Sequence, residues 1–128
     1  MAEPTMILPE MVEEYVSVAH GDLDRMRALL EQEPGLLNAA WCWGNGDWET
    51  ALGAAAHMGR KDIAGELLGR GARIDIFAAA VLDKLEIVQA IIGDDPPAAS
   101  RPGPHGIPLI AHAQRGEAAR VLAYLSSL

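Results

Sequence analysis

The sequence predicts an all-α fold assembled as a stack of short helix pairs, and three observations carry that expectation. Residues 47–75, DWETALGAAAHMGRKDIAGELLGRGARID, hold two short helical patterns split by a glycine turn. Residues 51–57 form a tight small-residue helix, Gly59 breaks it, and Ile63, Ala64, Leu67 and Leu68 recur at helical spacing before Gly71 ends the second pattern. A pair this short cannot bury its apolar face alone and needs neighbours of its own kind. Aromatic residues make up only 5% of the chain while alanines run together at 54–56 and 78–80, so the core must come from close helix approach, which favours helices over packed sheets. Finally, the unit recurs: the turn positions Gly21, Gly59, Asp83 and Gly116 are separated by 38, 24 and 33 residues.

In chain order, residues 1–8 are a leader without periodicity. Pro9 opens a helix over residues 9–19, with Glu10, Glu13 and Glu14 near the positive end of its dipole. His20, Gly21 and Asp22 make the turn, and Leu23, Met26, Leu29 and Leu30 stripe a second helix that Pro34 and Gly35 end. The polar outer face of this first pair suits a cap. Residues 36–49, LLNAAWCWGNGDWE, read as a β-hairpin finger around a GNGD turn, followed by Thr50 as the N-cap of the next helix. After the second pair the chain passes almost directly into IFAAAVL behind Asp75, so the third unit lacks a finger. Its outer helix carries Leu85, Ile87, Val88, Ile91 and Ile92. Residues 94–105, DDPPAASRPGPH, contain four prolines and are expected to form a second long finger or a mobile loop, neither helix nor interior strand. Pro108 then starts the last pair, in which Ala111 and Ala113 face inward and Val121, Leu122 and Leu125 form the final stripe.

TALGAAA followed by MGRKDIAGELLGRGARID resembles the ankyrin unit, a β-turn and two helices in about 33 residues with a TPLHxA signature. The resemblance extends over nearly the whole chain and is similar to that of small bacterial stand-alone ankyrin-repeat proteins, with which the GPHG segment is shared. It implies a single-domain ankyrin-repeat solenoid over 1–128 of about four stacked helix pairs, at approximately 9–38, 47–74, 75–94 and 105–128, with two long finger loops and a third repeat lacking its hairpin. The signature departs locally: Gly53 and Ile110 stand where the motif histidine is expected, and its threonine survives only as Thr50. Ties between units should therefore be mostly apolar.

Composition narrows the function classes. The net charge of −8 is concentrated at the front, where residues 1–35 hold eight acids against Arg25 and Arg27, while Glu117 is the only acid from Pro96 onward. With two lysines in the chain there is no continuous basic footprint, and nucleic acid is not expected as a partner. A single cysteine, Cys42, excludes an internal disulfide, no apolar run is long enough to span a membrane, and no secretory pattern opens the chain, so a cytoplasmic protein is expected. Neither GxSxG, HExxH, CxxC nor a phosphate-cradling loop occurs. No cofactor and no catalytic residue is assigned, and a metal site would require distant residues to converge.

The leading expectation is a non-catalytic module that binds a protein or peptide on the concave, finger-bearing face, as the resemblance implies. The alternative is a small-ligand or enzymatic pocket in the notch left by the missing finger. Trp48 and His105 would wall that notch and His57, Met58, Val81 and Leu82 would floor it, with Trp43 and Arg115 as further candidate binding residues. Each residue also has a plain structural reading: Trp41 and Trp43 tuck under the finger, His57 and Met58 are simply exposed at a helix end, and His112 is a hydrogen-bonded core histidine. A monomer, or weak self-association through the apolar last pair, is expected.

Overall fold

The structure, a computed structural model, describes residues 6–128. The leader expected over residues 1–8 lies in part outside them. Eight α-helices occur among the described residues: α1 (Pro9–Val18), α2 (Leu23–Gln32), α3 (Ala51–His57), α4 (Lys61–Gly69), α5 (Ile76–Val81), α6 (Leu85–Asp94), α7 (Leu109–Arg115) and α8 (Ala119–Ser126). Each odd-numbered helix packs on the even-numbered helix that follows, and α1, α3, α5 and α7 also pack in succession, so the pairs form a row with the odd-numbered helices on one side. The four pairs fall within the four expected ranges.

Local chemistry fixes the helix starts. The Thr50 hydroxyl accepts from the Gly53 amide at 3.0 Å and the Asp75 carboxylate from the Ala78 amide at 2.8 Å, each satisfying an amide that the first helical turn leaves free. Pro108 is the residue before α7 rather than its first member. Between α2 and α3 the chain forms an antiparallel hairpin, β1 (Ala40–Cys42) with β2 (Trp48–Thr50), in the register Ala40 to Thr50, Trp41 to Glu49 and Cys42 to Trp48. Residues 70–75, between α4 and α5, carry no strand. The proline-rich segment has no strand either, but is more ordered in form than a bare loop: 3-10 turns occupy Pro96–Ala99 and Pro104–Gly106.

The small residues of the inner helices permit very close packing. A Cβ at Gly116, just beyond α7, would lie 2.0 Å from the carbonyl oxygen of Val81 at the end of α5, so this junction admits only glycine. Two apolar clusters meet across α5, one centred on Tyr15, Met26, Leu36, Ile63 and Leu67, the other on Val88, Leu109 and Val121. At the last pair Leu122, Tyr124 and Leu125 are half-buried, while Ile110 of α7 and Leu128 are exposed. No helix among the described residues is long and apolar enough to cross a membrane.

Candidate functional site

The site is built on the alternation of the hairpin. In β2, Trp48 points outward and is 62% exposed, so its neighbour Glu49 points inward, where it is 1% exposed. A carboxylate so deeply placed needs partners. The Trp43 indole donates to Glu49 Oε1 at 2.9 Å, and three imidazoles from separate parts of the chain converge on the same group. His20 Nε2, from the turn after α1, lies 3.2 Å from Oε1, while His57 Nε2, at the end of α3, and His105 Nε2, from the proline-rich loop, each lie 3.0 Å from Oε2. The ring of His57 stands between the other two, 5.0 Å from each and edge-on to both.

Other contacts orient these rings. His20 Nδ1 is 3.0 Å from the carbonyl oxygens of both Val16 and Ser17, which only accept, so Nδ1 carries a hydrogen. His105 is held by one carboxylate: its amide donates to Asp47 Oδ1 at 2.8 Å and its Nδ1 to Asp47 Oδ2 at 2.7 Å. Its backbone is left-handed, φ +59°, a conformation that costs energy in a residue with a side chain. The Asp47 contacts hold it there.

Burial works to raise the Glu49 pKa, but the closely placed His20 and His57 rings, the His20 charge and the Trp43 indole outweigh it and bring the carboxyl down to about 2. Reciprocally, the hydrogen bond to Glu49 raises the His20 pKa against the opposing effect of burial. Satisfaction is nevertheless incomplete. Glu49 Oε2 and His57 Nε2 are close but misaligned, and both remain buried without a hydrogen-bond partner. One donor atom from each of His20, Glu49, His57 and His105 falls within 4.8 Å of all the others. Among the described residues, these four could together hold one cation.

Of the residues the sequence singled out, Trp43, His57 and His105 converge here. Trp48 lies on the outer side of the hairpin and faces Asp75, Phe77 and Pro102–Pro104 across a cavity of about 340 Å³. Only half of the expected floor is accessible. Val81 is fully buried and Leu82 half-buried, because α5 and α7 touch through Gly116, and Arg115 spans Met58 by donating to its carbonyl at 3.2 Å. His112 is buried elsewhere, with Nδ1 3.0 Å from the Pro108 carbonyl, as expected of a core histidine, although its Nε2 is unpartnered. Sequence reasoning missed Glu49, His20 and the role of Asp47. The signal available for Glu49 was its inward position in the strand, beside a tryptophan that must face out.

The notch is also bridged instead of open. His105 reaches Asp47 at the hairpin, and above them a cavity of about 660 Å³ is lined by Trp43, Asn45, Asp47, Pro102 and His105. Fold and site together define a mostly helical stack of four pairs with a small hairpin and a histidine–carboxylate centre beside a cleft. No family model, curated protein or solved structure matches the chain.

Proposed function

We propose that the chain is a small-ligand-binding protein on a four-unit scaffold of the ankyrin-repeat type, and that its ligand enters the cleft between the hairpin and the proline-rich loop, above Glu49 and its histidines. The observation that carries this reading is the contact of His105 with Asp47 across the hairpin and the proline-rich loop, beside which lie two short cavities where an extended peptide would need a continuous groove. The repeat-type scaffold is supported by the succession of helix pairs, the hairpin ahead of the second pair and the 33-residue spacing of the last turns. A cytoplasmic setting accords with the lone thiol of Cys42, and the scarcity of lysine argues against duplex DNA as a partner.

A second reading, the protein- or peptide-interaction module, is favoured by one observation, the exposure of both Trp48 and Met58. The two separate experimentally. Small polar molecules screened by tryptophan fluorescence and thermal shift should yield a ligand whose effect is lost in Glu49→Gln and kept in Arg70→Glu, since Arg70 pairs with Glu66 on α4, away from the cleft. If no small molecule registers while a protein partner binds in a way that depends on Trp48 and not on Glu49, the interaction module is the correct reading.

A further inference from the structure

We propose that His20 Nε2, His57 Nε2, His105 Nε2 and the Glu49 carboxylate together bind one divalent d-block cation, zinc foremost. The inference rests on the reading of the cleft as a small-ligand site and names the ion at its base. Proton accounting comes first. Because Nδ1 of His20 donates to backbone carbonyls and Nδ1 of His105 donates to Asp47, each neutral ring presents a bare lone pair at Nε2, and both lone pairs face oxygens of Glu49 at 3.2 and 3.0 Å. Lone pair against lone pair is repulsive. The contact becomes attractive only if both rings take up an additional proton, placing two imidazolium ions with ring centres 6.3 Å apart, or if one cation sits between all the donors.

The unsatisfied atoms point the same way. The Glu49 side chain is wholly buried, yet Oε2 lacks a hydrogen-bond partner, as does His57 Nε2 beside it. Donors bound tetrahedrally at about 2.0 Å stand about 3.3 Å apart, and the separations here begin at 3.0 to 3.2 Å and stay within 4.8 Å, so small side-chain movements close the site around an ion. The surrounding contacts are those that orient metal ligands: a carbonyl behind His20, a carboxylate behind His105 and an indole N–H on the ligating carboxylate.

The donor chemistry selects the ion. Three imidazole nitrogens and one carboxylate are borderline ligands suited to zinc and its neighbours, whereas magnesium and calcium require mostly oxygen. With neutral rings, Glu49 and Asp47 together balance a doubly charged cation. His105, whose side chain is 32% exposed, stands at the mouth of the cleft and gives the ion a way in.

The test uses the untagged full chain after metal depletion, titrated with Zn²⁺ by calorimetry and with Co²⁺ by visible absorption. One ion per chain is expected, with the intense cobalt bands of a four-coordinate site. Affinity should fall at least 100-fold in His57→Ala and in Glu49→Gln and at least 10-fold in His105→Ala, and be unchanged in His112→Gln. Circular dichroism checks each variant for folding, and His105→Ala, in an exposed loop, decides the matter if the buried changes unfold the chain. Absence of binding at millimolar zinc, or binding that survives both His57→Ala and His105→Ala, overturns the proposal. Should a polar organic ligand still bind in a Glu49-dependent way while zinc does not, the ion is wrong and the cleft stands; if neither binds, both readings fall.

Discussion

Two buried histidine environments lie on the same row of inner helices and behave oppositely. At the end of α3, His57 stands among His20 and His105 around the Glu49 carboxylate. Within α7, His112 Nδ1 meets the Pro108 carbonyl and its ring lies against the tilted ring of Phe77, ring centres 4.9 Å apart. Both imidazoles leave Nε2 buried and without a hydrogen bond, but only that of His57 has a carboxylate oxygen 3.0 Å distant. Burial lowers the His112 pKa, whereas the hydrogen bond to Glu49 raises that of His20. Desolvation alone makes a histidine a neutral packing residue; a buried counter-charge makes it a group that takes up protons or cations.

The sharpest way to break this contrast is to remove the counter-charge. Glu49→Leu should destabilise the fold by about 3 kcal/mol, read by urea denaturation, because it strands the buried partners of the carboxylate. A loss no larger than that of an exposed substitution would mean that the cluster contributes nothing. Zinc at 100 times its dissociation constant should stabilise the native chain by about 2.7 kcal/mol and leave Glu49→Leu unmoved. Asp47→Asn, which weakens the support behind His105, should reduce zinc affinity about 10-fold with little change in metal-free stability. His112→Leu should alter stability by no more than about 1 kcal/mol, since it removes one hydrogen bond and an unsatisfied nitrogen together.

The smallest effects are the pH slopes, which have opposite signs. His20, whose folded pKa is raised, stabilises the fold fully below its unfolded value of 6.5, and that contribution is lost as pH rises through the higher folded value. For His112, with a lowered folded pKa, the contribution is present above 6.5 and is lost as pH falls below it. Glu49 adds a third, more acidic window, losing its contribution as pH falls from 4.5 toward about 2. His20→Gln should therefore flatten the alkaline side of the stability profile and His112→Gln the mildly acidic side, both measured by denaturation at closely spaced pH values.

The helical pairs were legible because their signals are local: Thr50 and Asp75 as caps, a glycine turn and a 3.6-residue stripe all lie within one unit. Half of the site was legible for a different reason than the one that matters. His57 and His105 were singled out as the floor and wall of an apolar notch, yet they act with a carboxylate that the sequence presents merely as the last polar residue of a hairpin. His20 reads as a turn residue for the same reason, since its partners are 29 and 85 positions away along the chain. No spacing rule reaches donors delivered by two helix pairs and two connections. The open notch failed on a question of loop length: residues 95–108 fold over the unit that has no hairpin of its own and fill the space beside it.

That bridging loop limits how such an array can change. Helix-pair scaffolds ordinarily gain and lose units by duplication, since each unit touches only its neighbours. Here His105, from the approach to the fourth pair, must meet Glu49 and Asp47 from the hairpin ahead of the second. One additional pair between them would carry the loop about 8 to 10 Å further off, beyond the reach of any imidazole. The copy number of the units is thus set by the site they enclose, and a chain one unit longer or shorter would keep its helices and lose its centre.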